Sequence, residues 1–492
     1  MYVASVYTGH DASLAIVGEG KIVHLELERF TRKKHDSGNI NWLYDLALKL
    51  IGISDDDVSC VVGISSLLGK GPNFWTELDT VFKFKEEKFS NHSLYQHPIY
   101  IISHYLAHAG YAFYTSPLED ARILTIDGQG DPFRIPFVDD DQKTDCAIGY
   151  ARHLFGSIDF DWNLRWHPYQ KIGWMWISAS QKIFGGEYHE GKVMALIGIP
   201  SKIFQKKTKF SINTYHEVHR MQNMTTQVVN QLIEYREDDG VCLAGGVALN
   251  GIAVYDLLKS REDICHVHVP PSVHDGGLTV GAALYILHVV LKQPRAYYSP
   301  ETISFCGYTN DELDRIPDMK KIAKFLKDGK IVALVHGKAE SGPRALGHRS
   351  LLTNPMIYSL KGKLNRIKER AKWRPVAPVI MAEYAHQFFD LLNLSCYHYM
   401  TVIANGTTIG KMSLPSCFHY DGTARVQIVE SGLLYELLKA FNELTSFPML
   451  LNTSFNVNEP IVNTIDEAKR TFECCKEIDI LVIGDKVIER HV

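Results

Sequence analysis

The chain contains a repeated strand–turn–strand pattern, which restricts its fold more than any other feature. Residues 2–30, YVASVYTGHDASLAIVGEGKIVHLELERF, form three apolar, β-branched runs separated by the polar turns TGHD and GEGK. Residues 121–138, ARILTIDGQGDPFRIPFV, form an apolar run that ends in the acidic, glycine-rich turn DGQGD and is followed by another strand-like run. Two units of this kind in one chain predict a duplicated α/β domain.

The pattern after this repeat divides the chain into two parts. Residues 241–258, VCLAGGVALNGIAVYDLL, predict a buried strand, a Gly-Gly turn and a helix, and a longer helix is predicted from near Asp275. Residues 292–318 are rich in proline, tyrosine and turn residues without clear periodicity, so we place a boundary there. A new amphipathic helix, a strand and a glycine-rich loop follow. We therefore expect one domain at residues 1–300 and a second at residues 301–492.

Composition and charge exclude several classes of protein. The chain has 492 residues, with 52 basic and 56 acidic side chains and a net charge of −4, which gives no basis for binding nucleic acid or an anionic membrane. The most apolar window, residues 277–291, is too short to cross a bilayer, and the N-terminal residues lack a signal-peptide pattern. Nine cysteines without C-x-x-C spacing indicate reduced thiols. We expect a cytoplasmic protein without nucleic-acid or membrane partners, compatible with a homodimer.

Three glycine-containing turns follow apolar strands: TGHDAS at residues 8–13, DGQGD at 127–131 and AGGVALN at 244–250. Exposed backbone N–H groups and close backbone approach make such turns suitable for phosphate. One alone is weak evidence, because ordinary tight turns have the same composition. The order of the three is similar to that in actin-like proteins and sugar kinases, where two acidic hairpin turns face the phosphates and a later Gly-Gly turn faces the adenosine. This order favours a nucleotide site.

A pair of histidines lies between two strand-like runs, in the stretch HYLAHAGYAF. His104 and His108 are four residues apart, so in a helix both imidazoles project from one face. Local packing or capping would explain them equally well. A metal site would need a third ligand, for which Asp275 at the start of the later helix is a candidate. Two neutral imidazoles and one carboxylate suit Fe(II), Zn or Mn.

The second part of the chain carries many basic and amide side chains. The arginines among them are flanked by glycine, proline and apolar residues rather than by mixed charges, which argues against a simple solvated surface. Arginine is suited to bidentate capture of phosphate or carboxylate, so the set indicates a polyanion pocket for ATP and a second small anion. The residues are Lys338, Arg344, Arg349, Lys368, Arg370, Arg374, Arg425, Asn452, Ser454 and Asn456.

These stretches together resemble the O-carbamoyltransferases of the NodU/CmcH family, which modify nodulation factors, cephalosporins and aminoglycosides such as tobramycin. The similarity runs from residue 9 to about residue 462 in the family's order, a coverage that chance similarity does not explain. The matching stretches are GHDASLAIV, LELERFTRKKH, SHYLAHA, TIDGQGD, HEGKVMAL, GGVALN, HDGG, ESGPRALGHRS, WRPVAP, DGTARVQ and NTSFNVNEPIV. Ala195 stands where the family usually has glycine after Met194.

The resemblance implies two α/β domains with separate sites. The first, residues 1–300, would be actin-like, similar to the transferase domain of the tRNA threonylcarbamoyl machinery. There an H-x-x-x-H pair and a later aspartate hold iron, and the matching positions here are His104, His108 and Asp275. The second, residues 301–492, would be YrdC-like, with its K-x-R signature at Lys368-Glu369-Arg370 and its S-x-N signature at Ser454-Phe455-Asn456.

The chemistry that the resemblance implies uses ATP, with Mg(II), and carbamoyl phosphate. The second domain would make carbamoyl-adenylate, and the first would transfer the carbamoyl group to a hydroxyl of a small natural product or sugar in secondary metabolism. His10 is the leading candidate for contact with the reacting group, and either Asp11 or Asp127 could activate the hydroxyl. The expected nucleotide-binding residues of the first domain are Gly128, Gly130, Lys192, Gly245, Gly246 and Asn250.

Other functions explain fewer of these features. A sugar-kinase-like phosphotransferase would account for the glycine turns but not for the histidine pair or the second domain. A threonylcarbamoyl-type tRNA modification enzyme would be expected to have a basic face, and a non-catalytic regulator would not need the metal positions. The acceptor stays undetermined, because residues 132–185 depart most from the family. This region is rich in aromatic residues that would suit a sugar ring or a structural core: Trp162, Trp166, Tyr169, Trp174 and Trp176.

Overall fold

The structure, a computed structural model of the protein, describes residues 1–64, 81–83, 92–128, 146–152, 157–160, 172–186, 188–233, 235 and 239–490. The chain forms two compact units. The first unit contains Met1–Met175, Gln227–Leu249 and Ser260–Gly307, and the second contains Trp176–Thr226, Asn250–Lys259 and Tyr308–Val492. The last change of unit, after Gly307, falls within the segment where the sequence predicts a boundary. The domain limits 1–300 and 301–492 remain a prediction.

The first sheet of the first unit is built on the N-terminal strand–turn–strand repeat. Its strands are β1 (Tyr2–Tyr7), β2 (Ser13–Gly18), β3 (Lys21–Glu26), β4 (Val58–Ile64), β5 (Val81–Lys83) and β6 (Ile99–Ile102). Their spatial order is β3-β2-β1-β4-β6-β5; β1, β4 and β6 are parallel and the other pairs are antiparallel. Every residue of β1 and β2 is buried, as expected for strands in a sheet covered on both faces. The three strands predicted in residues 2–30 are confirmed.

The second sheet of the first unit repeats the connectivity of the first. Its strands are β7 (Asp120–Ile126), β8 (Cys146–Arg152), β9 (Ser157–Phe160), β10 (Asp239–Ala244) and β11 (Ile264–His268). The order β9-β8-β7-β10-β11 has two antiparallel pairs followed by two parallel pairs, like β3-β2-β1-β4-β6. The predicted duplication is therefore confirmed at the level of sheet topology. The strand predicted at residues 132–138 lies outside the described residues.

Helices α3 (His104–Tyr114) and α9 (Leu278–Tyr285) are buried along their whole length and pack against each other in the first unit. They approach closely because glycine lies at the contact on both sides. A Cβ atom at Gly281 would be 1.9 Å from the carbonyl oxygen of Ala107, and one at Gly110 would be 2.7 Å from the carbonyl oxygen of Gly281. This contact fixes α3 relative to the residues just before α9.

The other helices of residues 1–307 are short, apart from α4 and α7. A π-helical turn, Ile286–Val290, follows α9 directly. The helices are α1 (Glu28–Thr31), α2 (Trp42–Ile51), α4 (Ile172–Phe184), α5 (Glu190–Ile197), α6 (Ser201–Thr208), α7 (Ile212–Leu232), α8 (Gly251–Ser260) and α10 (Pro300–Ser304). The predicted strand, Gly-Gly turn and helix of residues 241–258 correspond to β10, a short turn and α8.

The second unit contains a mixed seven-stranded sheet of order β18-β14-β19-β13-β12-β20-β21 and a small sheet of order β15-β16-β17. In the large sheet only the pairs β14–β18 and β12–β20 are parallel. The strands are β12 (Val332–Val335), β13 (Arg349–Thr353), β14 (Ala377–Met381), β15 (Phe389–Asp390), β16 (Ala404–Gly406), β17 (Thr423–Ala424), β18 (Gln427–Val429), β19 (Met449–Ser454), β20 (Ile480–Ile483) and β21 (Lys486–Glu489).

The amphipathic helix predicted after residue 318 is α11 (Met319–Lys327), which Asp318 caps by accepting from the N–H groups of Lys320 and Lys321. Its apolar face joins that of α15 (Gly432–Thr445) in one core with the large sheet. The remaining helices are α12 (Tyr358–Ile367), α13 (Ala382–Phe388), α14 (Thr408–Ser413) and α16 (Ile465–Cys474). In the described part of the chain, no helix has the length and apolar character needed to cross a membrane.

Candidate functional site

Helix α3 presents two imidazoles in the interior of the first unit. His104 and His108 lie one turn apart, so both side chains project from the same face of the helix. Each is 1% exposed, and their Nε2 atoms are 3.1 Å apart. The predicted helix, with both imidazoles on one face, is confirmed.

Two carboxylates join this pair in a four-residue His–Asp cluster of His104, His108, Asp127 and Asp275. Asp127 follows the carboxyl end of β7, and its Oδ2 atom is 3.2 and 3.3 Å from the Nε2 atoms of His104 and His108. Asp275 precedes α9, and its Oδ1 atom is 3.6 and 3.4 Å from the same two atoms. One ligand atom from each of the four residues lies within 4.8 Å of the others. The structure thus adds Asp127 to the three predicted ligands.

The His–Asp cluster fits a divalent transition-metal ion. Bonds of about 2.1 Å place tetrahedral ligand atoms about 3.4 Å apart. The separations in the cluster that involve an imidazole are 3.1–3.6 Å. Two imidazoles and two carboxylates form a donor set that iron, zinc and manganese accept. All four side chains are buried, and a bound cation would offset the cost of keeping two carboxylates away from water.

The Gly-Gly turn after β10 supports Asp127. Asp127 Oδ1 accepts from the backbone N–H groups of Gly128 at 2.8 Å and Gly246 at 3.0 Å, while its Oδ2 faces the histidines. Gly245 has a φ of 84°, and a Cβ atom there would lie 2.2 Å from the carbonyl oxygen of Ile126. Burial alone would raise the pKa of Asp127, but hydrogen bonds from the two histidines hold it well below its ordinary value.

His10 lies between two carboxylates at the edge of the cluster. Its Nδ1 atom is 3.1 Å from Asp11 Oδ2, and its Nε2 atom is 3.3 Å from Asp275 Oδ2. The hydrogen bond with Asp11 outweighs burial and raises the pKa of His10 to about 9. The His10 side chain is 51% exposed. His10 can therefore meet a molecule from solvent while it contacts a residue of the His–Asp cluster.

Two neighbours of these residues were missed by the sequence analysis. His35 Nδ1 is 2.7 Å from Asp11 Oδ1, so Asp11 holds two imidazoles at once, and hydrogen bonds from His10 and His35 outweigh burial to lower its pKa. The Tyr7 hydroxyl donates to Asp275 Oδ2 at 3.2 Å. His35 ends the stretch LELERFTRKKH, which carries part of the resemblance, so a signal existed for it. Tyr7 is one of several apolar residues in β1 and gave none.

The predicted nucleotide-binding residues are divided between the two units. Gly128, Gly245 and Gly246 lie beside the His–Asp cluster in the first unit, and Gly130 lies outside the described residues. Lys192 and Asn250 belong to the second unit. The Lys192 ammonium is 5.6 Å from the centre of the Phe184 ring. The Asn250 side chain accepts from the N–H group of Ala253 at 3.1 Å at the start of α8.

The second unit contains an arginine cluster of Arg344, Arg370, Arg374 and Arg425. Burial and the charges of Arg425 and Arg374 hold the pKa of Arg344 well below its ordinary value. Burial and the charge of Arg374 lower the pKa of Arg370 to about 9 and that of Arg425 to about 10. Among the described residues, no carboxylate contributes to these shifts. Because guanidiniums stay protonated at neutral pH, the cluster holds positive charge that an anion would compensate.

Lys368 connects the two signature stretches of the second unit. Its ammonium donates to the backbone and side-chain oxygens of Ser454 at 2.7 and 2.9 Å and to the backbone oxygen of Asn456 at 2.8 Å. It also contacts the side-chain oxygen of Asn456. Asn452, two residues before Ser454, is buried and donates to the carbonyl oxygen of Ala345 at 3.1 Å. Four residues predicted to bind anions or ATP therefore lie in this region.

The glycine-rich loop that carries Arg344 folds around a buried carboxylate. Glu340 is 1% exposed, and its Oε1 atom accepts from the N–H groups of residues 346–349 at 2.9–3.2 Å. The fully buried Arg349 donates to the backbone carbonyls of Tyr308, His336, Gly337, His348 and Asn463. Glu340 was missed by the sequence analysis. Lys338 is exposed, and its backbone carbonyl accepts from His348 Nδ1 at 2.7 Å.

Comparison with known proteins identifies the type of domain formed by the C-terminal part of the chain. Residues 323–490 match the family model described as "Carbamoyltransferase C-terminus". The chain carries a carbamoyltransferase C-terminal domain. It is 28% identical to nodulation protein NolNO of Sinorhizobium fredii, over 98% of this chain and 79% of that protein. It is 31% identical to nodulation protein U of Azorhizobium caulinodans, over 44% of this chain and 39% of that protein.

These findings confirm the resemblance to carbamoyltransferases, and the protein is an enzyme of that class. All ten residues of the second part that the sequence assigns to a pocket for ATP and a second anion lie within the matched domain, including the arginine cluster. A solved structure of full-length HypF in a phosphate- and nucleotide-bound form is similar over 61% of this chain and 56% of that chain, with 12% identity and a TM-score of 0.37. That likeness is too weak to assign the fold.

The aromatic residues that would suit a sugar ring or a structural core of this carbamoyltransferase are described only in part. Trp162, Trp166 and Tyr169 lie outside the described residues. Trp174 is 42% exposed on α4, whereas Trp176 is 6% exposed and its indole N–H donates to the Thr225 hydroxyl at 3.0 Å. Trp176 therefore has a structural contact, and Trp174 is the described aromatic residue that a ligand could reach from solvent.

Proposed function

We propose that this carbamoyltransferase makes carbamoyl-adenylate from ATP and carbamoyl phosphate and transfers the carbamoyl group to a hydroxyl of a small natural product or sugar. The observation that carries the proposal is the convergence of His104, His108, Asp127 and Asp275 in one buried cluster. A sugar kinase does not need such a cluster. The arginine cluster inside the matched domain supports a separate site for anionic substrates.

The first half-reaction belongs to the second unit. Carbamoyl phosphate loses its phosphate to water, and an oxygen of the resulting carbamate attacks the α-phosphorus of ATP. Carbamoyl-adenylate forms, and pyrophosphate leaves. Both substrates are anions, and ATP enters with Mg(II), so Arg344, Arg374 and Arg425 supply the positive charge that stabilises the transferring groups. Lys368 holds Ser454 and Asn456 in place by hydrogen bonds to both.

The two domain types follow from the same proposal. We assign residues 301–492 to a YrdC-like domain, because its K-x-R and S-x-N stretches are hydrogen bonded through Lys368. We assign residues 1–300 to an actin-like domain, because its two sheets share one strand order. In such a domain the glycine turns beside Asp127 would face the phosphates of the nucleotide.

Fe(II) is the metal that we assign to the His–Asp cluster, with Asp127 as a fourth ligand beside His104, His108 and Asp275. The contacts of Asp127 support this role, because its Oδ2 atom faces both imidazoles while its Oδ1 atom accepts from two backbone N–H groups. This leaves Asp127 unsuited to collect a proton from an acceptor. A bound divalent ion would supply Lewis-acid polarisation of the adenylate phosphate or the carbamoyl oxygen.

The transfer step then depends on His10 and Asp11. Asp11 fixes the His10 ring by accepting from Nδ1, so the imidazole keeps one orientation. Between two carboxylates the imidazole is protonated at neutral pH and can donate a hydrogen bond. We therefore assign His10 to contact with the carbamoyl group or the acceptor hydroxyl, where it stabilises developing negative charge. The acceptor oxygen attacks the carbamoyl carbon, the bond between that carbon and the adenylate oxygen breaks, and AMP leaves while the hydroxyl proton passes to its phosphate or to water.

Pyrophosphate release without an acceptor tests this proposal. The enzyme is incubated with ATP and carbamoyl phosphate, and pyrophosphate is followed over time. A kinase or a non-catalytic nucleotide-binding protein would release none, and either result would contradict the proposal. A panel of hydroxylated small molecules with labelled carbamoyl phosphate then identifies the acceptor. Transfer of label to tRNA instead would favour the tRNA-modification alternative.

A further inference from the structure

We propose that His24 is a positioning residue for Asp275. It holds the backbone of Gly276 and so determines where Asp275 presents its carboxylate to His104 and His108. The inference rests on the metal centre of the proposed function. His24 lies on β3, far from Asp275 in sequence, and neither its spacing nor a motif singles it out.

The Gly276 carbonyl receives two side-chain donors. His24 is 2% exposed, and its Nε2 atom is 2.7 Å from the Gly276 oxygen. Because a carbonyl only accepts, Nε2 of His24 carries the proton. Ser13 on β2 donates to the same oxygen at 2.9 Å. Burial also lowers the pKa of His24, so the ring is neutral and keeps this arrangement at neutral pH.

The backbone N–H groups of the same turn are also hydrogen bonded. The Gly276 N–H donates to His274 Nδ1 at 2.9 Å, and the Gly277 N–H donates to the His274 carbonyl at 3.0 Å. A Cβ atom at Gly277 would lie 2.0 Å from the carbonyl oxygen of Ser272, and one at Gly276 would lie 2.7 Å from the His274 ring. The peptide groups on both sides of Gly276 are therefore held by named partners in a close-packed turn.

Asp275 needs this fixed backbone because both of its oxygens are used. Oδ1 faces the two histidines at 3.4 and 3.6 Å, and Oδ2 lies 3.2 Å from the Tyr7 hydroxyl and 3.3 Å from His10 Nε2. Metal–ligand distances tolerate shifts of only about 0.2 Å. A small rotation of the turn would move Asp275 by more than this. Loss of partners that orient metal ligands typically weakens metal binding about 10–100-fold.

Equilibrium dialysis of the full chain against anaerobic Fe(II) tests the role of His24. His24→Leu removes the donor and should weaken Fe(II) binding about 10–100-fold. His24→Gln can donate to the same carbonyl and should bind Fe(II) nearly as well as wild type. His288→Leu is the matched control, because His288 is also buried in the first unit and pairs with a backbone carbonyl, that of Gln293 at 3.1 Å. It should lower the melting temperature without changing the affinity for Fe(II).

Three results would overturn the inference: wild-type affinity in His24→Leu, equal weakening in His24→Leu and His288→Leu, or His24→Gln as weak as His24→Leu. If His24→Leu does not fold, Ser13→Ala removes the other donor to the same carbonyl. Weaker Fe(II) binding in Ser13→Ala supports the inference, and unchanged binding contradicts it. A wild-type chain that binds no Fe(II) contradicts the proposed metal centre itself, and the role of His24 with it.

Discussion

The His–Asp cluster of the first unit and the arginine cluster of the second unit are charged sites of opposite design. In the His–Asp cluster the carboxylates face the imidazoles, since Asp127 is hydrogen bonded to His104 and His108 and an Asp275 oxygen lies 3.4–3.6 Å from both rings. In the arginine cluster the like charges of Arg344, Arg374 and Arg425 lie near one another, and burial lowers the pKa of each. The His–Asp cluster is internally paired before a cation binds, whereas the arginine cluster keeps uncompensated positive charge until an anion binds.

This difference indicates how each site would respond to its ligand. Hydrogen bonds within the His–Asp cluster keep its geometry close to that of a bound state, so metal binding requires little rearrangement. The arginine cluster lacks acidic partners among the described residues, so it loses stability in the free enzyme and regains it with an anion. The contacts within the His–Asp cluster therefore hold it ready for a cation, whereas an anion would relieve the repulsion within the arginine cluster.

The largest expected effect is loss of the metal in the double variant His104→Ala/His108→Ala. Both nitrogen ligands of the His–Asp cluster disappear, and two carboxylates alone bind a transition ion weakly. Iron per chain should fall to background when both proteins are purified and analysed together. His288→Ala, at a buried histidine outside the cluster, should retain wild-type iron. Equal iron in the double variant and wild type would remove the metal assignment.

His10→Ala should lower acceptor carbamoylation by roughly 10²–10⁴-fold, the loss expected for a positioned proton-transfer or charge-stabilising group. Acceptor-free pyrophosphate release should stay near wild type, because His10 lies in the first unit. Both rates are measured on one preparation, with melting temperature as the folding control. Joint loss of both activities with a lower melting temperature would mark His10 as structural. Unchanged carbamoylation would exclude it from the mechanism.

Lys368→Ala should slow acceptor-free pyrophosphate release by about 10²–10³-fold, because a charge that orients Ser454 and Asn456 and stabilises transferring groups is lost. Arg370→Ala should act in the same direction. Transfer from supplied carbamoyl-adenylate should survive in both. Lys372→Ala, at an exposed lysine nearby in sequence, is the matched control and should behave like wild type. Loss of transfer as well would contradict separate sites.

The smallest expected effect sharpens the difference between the two clusters. Arg374→Met removes one uncompensated charge, so the free enzyme should gain about 0.5–2 kcal/mol of stability. The rise in melting temperature caused by saturating carbamoyl phosphate should shrink. Arg366→Met, at an exposed arginine paired with Glu477, should leave that rise unchanged. A destabilised Arg374→Met that keeps the full response to carbamoyl phosphate would show that the cluster does not bind this anion.

The sequence predicted those parts of the site that depend on local spacing. Two histidines four residues apart on an apolar run predict a helix with both rings on one face, and the structure has them so. The strand–turn–strand repeat also predicted the duplication, because each copy is visible as alternating apolar runs and polar turns. Asp275 was a candidate third ligand from its position at the start of the later helix, and the motif HDGG gave it the same role through the resemblance.

Features created by tertiary contacts could not be predicted. Asp127 meets the histidines only because the end of β7 lies beside α3, which no local spacing encodes. Tyr7 and His24 look like ordinary members of buried strands, and their hydrogen bonds to Asp275 and Gly276 span about half the chain. Arginine is a residue type that often binds anions, yet the Arg349 guanidinium donates to backbone carbonyls of the second unit. Residue type indicates chemistry, whereas the partner depends on the fold.

The most direct test of two separate sites is acceptor-free pyrophosphate release by His104→Ala/His108→Ala. We predict that this variant, supplied with ATP, Mg(II) and carbamoyl phosphate, releases pyrophosphate at nearly the wild-type initial rate while it transfers no carbamoyl group to an acceptor. Activation would then belong to the arginine cluster and transfer to the His–Asp cluster. If a folded double variant releases no pyrophosphate, or still carbamoylates the acceptor at the wild-type rate, the proposed division of the reaction is wrong.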